Sequence, residues 1–371
     1  MLYRNNQMPA SRYNQTVKRP VSSPDVQSEL NLKAIDALFD VAGLVRNRRG
    51  KPAGITRQLR QFRLERSAPE ELSRVSAPPR VAANGVQWLG VPGWDKLDWL
   101  WHGFSTRRGG ASRAYCPDDA PGELNLGFTA EDSRETVARN RELLAEALSG
   151  NAATPLITLR QIHSNLLVLA CGADVSSDHP RKGDGLMTDE PGLLLGIQTA
   201  DCIPVLVADR KRHAVAAFHA GWRGTVARIV EAGVGRMRLE FGSRPEDLVA
   251  AIGPGIGACC YAVGEEVYSS FESQFSYGRE LFREVYDSDP VRTKYPMLFL
   301  TQCAPGHSPI GPSLHLDLIE ANRRQLLDAG LKPRAIKTVG GCTSCQTDLF
   351  FSHRASRGHA GRMLSIIGIR L

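Results

Sequence analysis

A mixed α/β fold is the class this sequence predicts, and three observations carry that reading. From about Trp88 onward, short apolar runs punctuated by Gly and Pro are followed by longer stretches whose apolar residues recur at helical spacing. At 371 residues and 42% hydrophobic content, the chain can bury one large core or two modest ones. No run reaches the roughly 18 consecutive apolar residues of a membrane span, and the start lacks the apolar core of a secretory signal. A cytoplasmic protein with no membrane partner is therefore expected. The 8 cysteines are irregularly spaced and do not form the framework of a small disulfide-stapled domain, so reduced thiols are expected.

The formal charge of +7 is unevenly distributed. Residues 1–80 hold 15 Lys/Arg against 7 Asp/Glu, whereas the remainder holds 31 against 32. Basicity thus belongs to a leading arm rather than to the globular body. A solvated, poorly ordered extension over residues 1–85 is the expected form, and no nucleic-acid partner is assigned to it. Within it, Leu30 to Leu44 has near-helical apolar spacing, and Arg46 to Lys51 is a basic run. A single catalytic body is expected over residues 86–371.

Taken in order, His102 to Arg107 reads as a strand entering a turn at Gly109-Gly110, and Glu131 to Leu148 as a helix with Val137, Leu144 and Leu148 on its apolar side. Leu156 to Leu159 and Leu166 to Cys171 are strand candidates on either side of His163. Leu193 to Gln198 and Ile203 to Ala208 flank Cys202, and Ala214 to Phe218 leads into His219. A helix is expected from about Thr225 to Phe241, with Val226, Ile229, Val230, Val234 and Met237 at spacings of three and four. The Gly-rich run Ile252 to Gly257 has neither dinucleotide-fold nor P-loop spacing and reads as a structural turn. Leu316 to Leu327 is a further helix, and Met363 to Ile369 is the closing strand.

Three of these strand ends carry soft or borderline metal ligands: Arg160-Gln-Ile-His163-Ser, Thr199-Ala-Asp-Cys202-Ile-Pro and Phe218-His219-Ala-Gly-Trp-Arg-Gly224. Two imidazoles and one thiolate suit Zn²⁺ held by three protein ligands with the fourth position open, the form of a catalytic site. The three lie 39 and 17 residues apart, with no compact ligand motif between them. Each taken alone reads first as a packed cysteine or a hydrogen-bonded histidine rather than as a ligand. Cys342-Thr-Ser-Cys345 has structural-zinc spacing but no evident partner pair in the sequence, so structural or incidental thiols are expected there.

The segments Gln161-Ile-His163-Ser, Asp184-Gly-Leu-Met-Thr-Asp189, Thr199-Ala-Asp-Cys202, His219-Ala-Gly-Trp-Arg223-Gly, Ile252-Gly-Pro-Gly-Ile-Gly257, Cys260-Tyr-Ala-Val-Gly264 and Phe350-Phe-Ser-His-Arg354 together resemble the YfiH/laccase-domain family. That family is also labelled polyphenol oxidoreductase, or peptidoglycan editing factor-like, and the resemblance runs from about Gly103 to Ile369. It implies a layered sandwich with two mixed β-sheets between helices. It also implies a zinc-dependent purine nucleoside enzyme that phosphorolyses adenosine, inosine and methylthioadenosine and deaminates adenosine. The family's zinc ligands fall on His163, Cys202 and His219, and Arg107, Asn125 and Arg223 match recurrent positions near its pocket. Phe350 to Arg354 would form a wall of that pocket, and His353 stands where many relatives carry Tyr, which leaves this segment less closely matched.

Phosphorolysis needs cationic donors to hold phosphate beneath the ribose C1′, and Arg107, Arg160 and Arg223 are the candidates; Arg223 sits between a ligand and an expected helix start. Deamination would need a proton shuttle beside the metal, and Asp201 is nearest in sequence, though it could equally orient a ligand. A copper polyphenol oxidase is the competing enzyme class, but 9 His without a His-x-His pair are few for a multicopper centre. A hydrolase acting on cell-wall precursors through Cys202, with His219 or His163 as base, is a further alternative. A non-enzymatic role, in which the domain binds or edits such precursors through partners, is the fourth.

Overall fold

The computed structural model describes residues 78–117, 119–176, 180–285 and 312–371. These belong to the compact unit Ala68–Leu371, so the helix expected within Leu30 to Leu44 lies outside the described residues. Strand pairing starts inside the stretch assigned to the extension. Arg80–Val81 (β1) pairs antiparallel with Gln87–Leu89 (β2), and the Arg80 guanidinium grips Asp95 at 2.7 Å.

The next strands are Leu100–Ser105 (β3), Arg108–Ser112 (β4), Leu156–Thr158 (β5), Leu167–Leu169 (β6) and Gly185–Thr188 (β7). Leu194–Thr199 (β8), Ile203–Asp209 (β9), Val215–Ala220 (β10), Leu248–Ile252 (β11) and Ala262–Val263 (β12) follow. Phe282–Val285 (β13), Ser313–Leu316 (β14), Ile336–Thr338 (β15) and Met363–Ile369 (β16) complete the set among the described residues. One sheet has the order β1-β2-β3-β16-β8-β5, a second β15-β11-β9-β10-β7-β6, and a small third β12-β14-β13. Both large sheets are mixed: β5 runs parallel to β8, β6 to β7 and β11 to β15, while the other pairs are antiparallel.

The helices flank these sheets. Arg134–Ser149 (α1) starts where Ser133 Oγ accepts from Thr136 N at 3.0 Å and stops at Gly150, whose φ of 82° a side chain would resist. Trp222–Val226 (α2) and Ile229–Phe241 (α3) come next, then Glu265–Gln274 (α4) and Leu318–Asp328 (α5). The helix expected from Thr225 is therefore two helices. Arg228 breaks it with φ 57°, fixed there by its bonds to Glu231 and to the Gln274 carbonyl. Gly109-Gly110, expected as a turn, lies within β4. A Cβ on Gly109 would sit 2.1 Å from the Gly85 carbonyl oxygen, so close backbone approach explains that glycine.

The resulting layers are helix, sheet, sheet, helix. Between the sheets, Leu100, Phe104, Ile197 and Ile367 meet Leu206, Ala217 and Ala251. On the outer side of the first sheet, α1 packs Leu144 and Ala145 against Trp101, Leu194 and Ile366. On the outer side of the second, Val234 and Met237 of α3 and Leu326 of α5 cover Val205, Val207 and Phe218. Each central strand thus buries both faces. Val205 and Val207 point one way, and Leu206 and Ala208 the other, which is why β9 reads as an unbroken apolar run rather than an alternating one. No helix among the described residues is long and apolar enough to cross a membrane.

The topology gathers functional residues at three connections between the large sheets. The β5–β6 connection carries His163, the β8–β9 connection carries Cys202, and the β15–β16 connection carries Cys342 to Arg362.

Candidate metal centre and cavity

The three expected ligands converge. Among His163, Cys202 and His219, the ligand atoms all lie within 4.8 Å of one another, with Cys202 Sγ 3.9 Å from His163 Nε2. The two imidazole rings stand edge to face with centroids 4.8 Å apart. A tetrahedral zinc with ordinary Zn–N and Zn–S bonds would place its N and S donors about 3.6 Å apart, so the donor set fits such an ion with small side-chain shifts. Gly221 provides the space: a Cβ there would lie 3.1 Å from Cys202 Sγ and 3.2 Å from His163 Cδ2.

Asp184 organises this group and was not singled out as a site residue by the sequence. Fully buried, it takes His219 Nδ1 on Oδ1 at 2.8 Å, which turns His219 Nε2 toward the other ligands. The same oxygen accepts from His163 N at 3.0 Å, while Oδ2 accepts from Ser164 N and Ser164 Oγ, both at 2.7 Å. One carboxylate therefore fixes a ring in the second sheet and the backbone of the loop bearing the other histidine. Burial alone would raise the Asp184 pKa, but the hydrogen bonds from His219 and Ser164 outweigh it and hold the group down to about 2. Burial likewise opposes ionisation of Cys202 and His219, yet each stabilises the charged form of the other. The thiol falls to about 6 and the imidazole, also held by Asp184, rises to about 9, shifts that favour a thiolate beside an imidazolium.

Two non-glycine residues at the centre adopt left-handed backbone angles, His163 at φ 57° and Asp201 at φ 92°. Asp201 is held there from several sides. Its Oδ1 accepts from Thr343 Oγ1 and its Oδ2 from Arg354 N, both at 2.6 Å, and its carbonyl accepts from Ile256 N at 2.8 Å. Both carboxylate oxygens are thus engaged in tying the Cys202 loop to the β15–β16 connection. Asp184, rather than Asp201, bonds the His219 imidazole, while Asp201 ties the Cys202 loop to the segment carrying Thr343 and Arg354.

The ligands open onto a cavity of about 630 Å³ lined by Arg160, Gln161, Tyr261, Leu318, His353, Arg354 and Arg362, among others. That volume is in the range of small-molecule sites. Of the expected anion-binding groups, Arg160 lines it, and its guanidinium has no hydrogen-bond or ion-pair partner among the described residues. Arg107 does not. It pairs with Glu123 at 2.7 Å, donates to the Thr347 carbonyl and stacks on Phe351. Asn125 is fully buried, bonding Gly127, Asp132 and Arg362 N, and shapes the turn behind the wall. Arg223 lies on the second residue of α2, exposed, with its guanidinium 4.4 Å from the Trp222 ring centre, and is not among the lining residues. The helix start expected after it is instead a five-residue helix that already contains it.

Gln161, Tyr261 and Arg362 line the cavity without having been proposed from sequence, whereas Arg354 belongs to the tail segment expected as a pocket wall. Gln161 clamps the strand before Cys202 by donating to the Gln198 carbonyl at 2.8 Å and accepting from Gln198 N at 2.7 Å. Tyr261 has its phenol pushed up to about 12 by burial and by the Cys202 charge, so it stays protonated across neutral pH. Arg354 donates from its side chain to the Ala262 carbonyl, and Arg362 to those of Ala360 and Gly361.

Fold and ligand set together define an α/β protein with a His/Cys cluster that could hold a metal ion at a sheet-to-sheet crossing. Residues 101–370 match the family described as multi-copper polyphenol oxidoreductase laccase, and the chain belongs to that laccase-domain family. Among curated relatives, the purine nucleoside phosphorylase of Bacteroides thetaiotaomicron is 36% identical over 72% of this chain and 91% of its own length. The protein of the same name from Deinococcus radiodurans is 38% identical over 72% and 88%. The crystal structure of Bacillus licheniformis hypothetical protein YfiH superposes with a TM-score of 0.63 at 30% identity, covering 79% of this chain and 99% of that one. YlmD from Geobacillus stearothermophilus gives 0.61 at 33% identity over the same shares.

Proposed function

We propose that this chain is a zinc-dependent purine nucleoside phosphorylase that converts adenosine, inosine and methylthioadenosine, with phosphate, into free base and ribose 1-phosphate (5-methylthioribose 1-phosphate from methylthioadenosine). The observation that carries the reading is the convergence of His163, Cys202 and His219 on the wall of a cavity that also presents Arg160, Arg354 and Arg362. The names of the relatives at 36% and 38% identity support the substrate class. A zinc ion on the three ligands would supply a Lewis-acidic open position facing the cavity.

In phosphorolysis an oxygen of phosphate bonds to C1′ as the C1′–N9 bond breaks, and the departing purine gains a proton. Arg160 is the cation free to hold the incoming anion, and Arg354 and Arg362 add positive charge around it. Tyr261 keeps its proton at neutral pH and can donate a hydrogen bond to the purine as negative charge develops. Leu318 and Ile256 offer apolar surface to the base. Adenosine deamination is less well supplied: it needs a carboxylate free to move protons beside the metal, and both oxygens of Asp201 are bonded. Copper is disfavoured by the ligand set, since a multicopper centre needs several additional imidazoles grouped with these.

The test is incubation of purified protein with adenosine, inosine or methylthioadenosine, with and without phosphate, followed by identification of bases and sugar phosphate and by metal analysis. Adenine and hypoxanthine released only with phosphate are expected. Inosine from adenosine without phosphate would instead support deamination, and base release independent of phosphate and metal would sink the proposal.

A further inference from the structure

Cys342-Thr-Ser-Cys345 has its missing partner pair in space. Cys259 and Cys260, in the turn after β11, bring their sulfurs to the same point: Cys345 Sγ lies 3.5 Å from Cys259 Sγ and 3.4 Å from Cys260 Sγ. All four sulfurs lie within 4.8 Å of one another. We propose that Cys259, Cys260, Cys342 and Cys345 bind a second, structural Zn²⁺ as a closed tetrathiolate site.

Three features point to a metal. Four thiolates around zinc at the usual Zn–S length stand about 3.8 Å apart, close to the spacing found, whereas a disulfide joins only two sulfurs at about 2.05 Å and leaves the others unused. Cys342 Sγ accepts a hydrogen bond from Gly257 N at 3.2 Å, a contact that favours a negatively charged sulfur. The two segments are also aligned before any ligand arrives: Gly255 bridges to Cys342, Thr343 N bonds the Gly255 carbonyl at 3.0 Å, and Cys260 N and Tyr261 N close the turn on the Gly257 carbonyl. With four protein ligands, no position is left for a substrate, and soft thiolates in this number select zinc over harder ions. The site would fasten the turn leading to Tyr261 onto the connection bearing His353 and Arg354. It would thereby brace one wall of the cavity without touching it.

The experiment measures zinc per chain in the full-length protein purified under reductant without chelator. It compares wild type, His163→Ala/Cys202→Ala, Cys345→Ser and Cys342→Ser. The double variant leaves the tetrathiolate site untouched and should retain one equivalent, which Cys345→Ser combined with it should remove. Exchanging Co²⁺ into the double variant should give the intense charge-transfer absorption of cobalt bound by thiolates. This reading stands even if the cysteine variants fold poorly, and it does not depend on zinc at the three-ligand centre. The assignment is overturned if the double variant holds neither zinc nor cobalt while its four thiols react freely with an alkylating agent. It is also overturned if mass spectrometry finds the cysteines joined as disulfides, or if the metal retained is iron.

Discussion

The two sulfur-bearing clusters differ in everything except proximity of their ligand atoms. The His163/Cys202/His219 group has three donors and a buried carboxylate behind them, with a cavity in front. The Cys259/Cys260/Cys342/Cys345 group has four donors and backbone support, and none of its residues lines the cavity beside the other group. The difference teaches that ligand type alone does not separate chemistry from architecture. What separates them is the number of donors and what occupies the remaining direction: open space beside charged side chains, or a fourth sulfur.

The comparison can be broken at several points. Cys202→Ala should have the largest effect. Loss of a group behind a metal ligand costs about 10- to 100-fold, so loss of the ligand itself should cut phosphorolysis by more than about 100-fold. Metal content should fall by one equivalent, and the melting temperature should drop by no more than the stabilisation that the bound ion supplied. Activity surviving in metal-free Cys202→Ala would remove the catalytic reading of this centre. Asp184→Asn comes next. It should weaken zinc binding by about 10- to 100-fold and destabilise the fold by about 2 to 4 kcal/mol, because buried donors lose a charged acceptor. Calorimetry and zinc titration together check it, and unchanged zinc affinity would show that the ring needs no such anchor.

A smaller effect separates two of the three arginines expected to hold phosphate. Arg160→Ala should raise the KM for phosphate by about 10-fold, the scale of one lost hydrogen bond to a charged group. Arg223→Lys should change it by less than about 2-fold, since Arg223 rests on Trp222 outside the cavity lining. The reverse order would restore the role first expected of Arg223. The smallest effect is in acid. Asp184 is depressed from 3.8 to about 2 in the folded protein, so its contribution is fully present above about pH 4 and is lost as pH falls through about 2. That contribution amounts to about 2 kcal/mol at neutral pH, and Asp184→Asn should flatten this part of the acid-denaturation curve.

Much of the architecture was legible because it is locally encoded. The run Met363 to Ile369 is apolar at nearly every position and forms a strand with those bounds, and Ser133 and Gly150 mark the ends of α1. The break at Arg228 was not legible: Val226, Ile229 and Val230 keep helical spacing across it, and the contact that fixes it comes from Gln274, 46 residues away. The three metal ligands were visible as residue types beside strand ends. Asp184 was not, because it stands 21 residues from one histidine and 35 from the other, and only the sheet pairing brings them together. The same reason hid the partners of Cys342 and Cys345, which lie 85 and 86 residues upstream of Cys345.

The crossings between the two large sheets carry a consequence for how the chain acquires metal. His163 and Cys202 sit on segments that leave the first sheet, while His219 belongs to the second. A half-built molecule with one sheet formed therefore holds no complete ligand set, and ion capture at this centre must follow docking of the layers. An ion captured there acts as a clasp on the finished sandwich. Because only the folded chain assembles all three ligands, a zinc ion there would add at most RT ln(1 + [Zn²⁺]/Kd) to the unfolding free energy, less whatever it gains on unfolded cysteines and histidines. The melting temperature of the folded protein would then rise with the free metal around it, and a chelator would lower it.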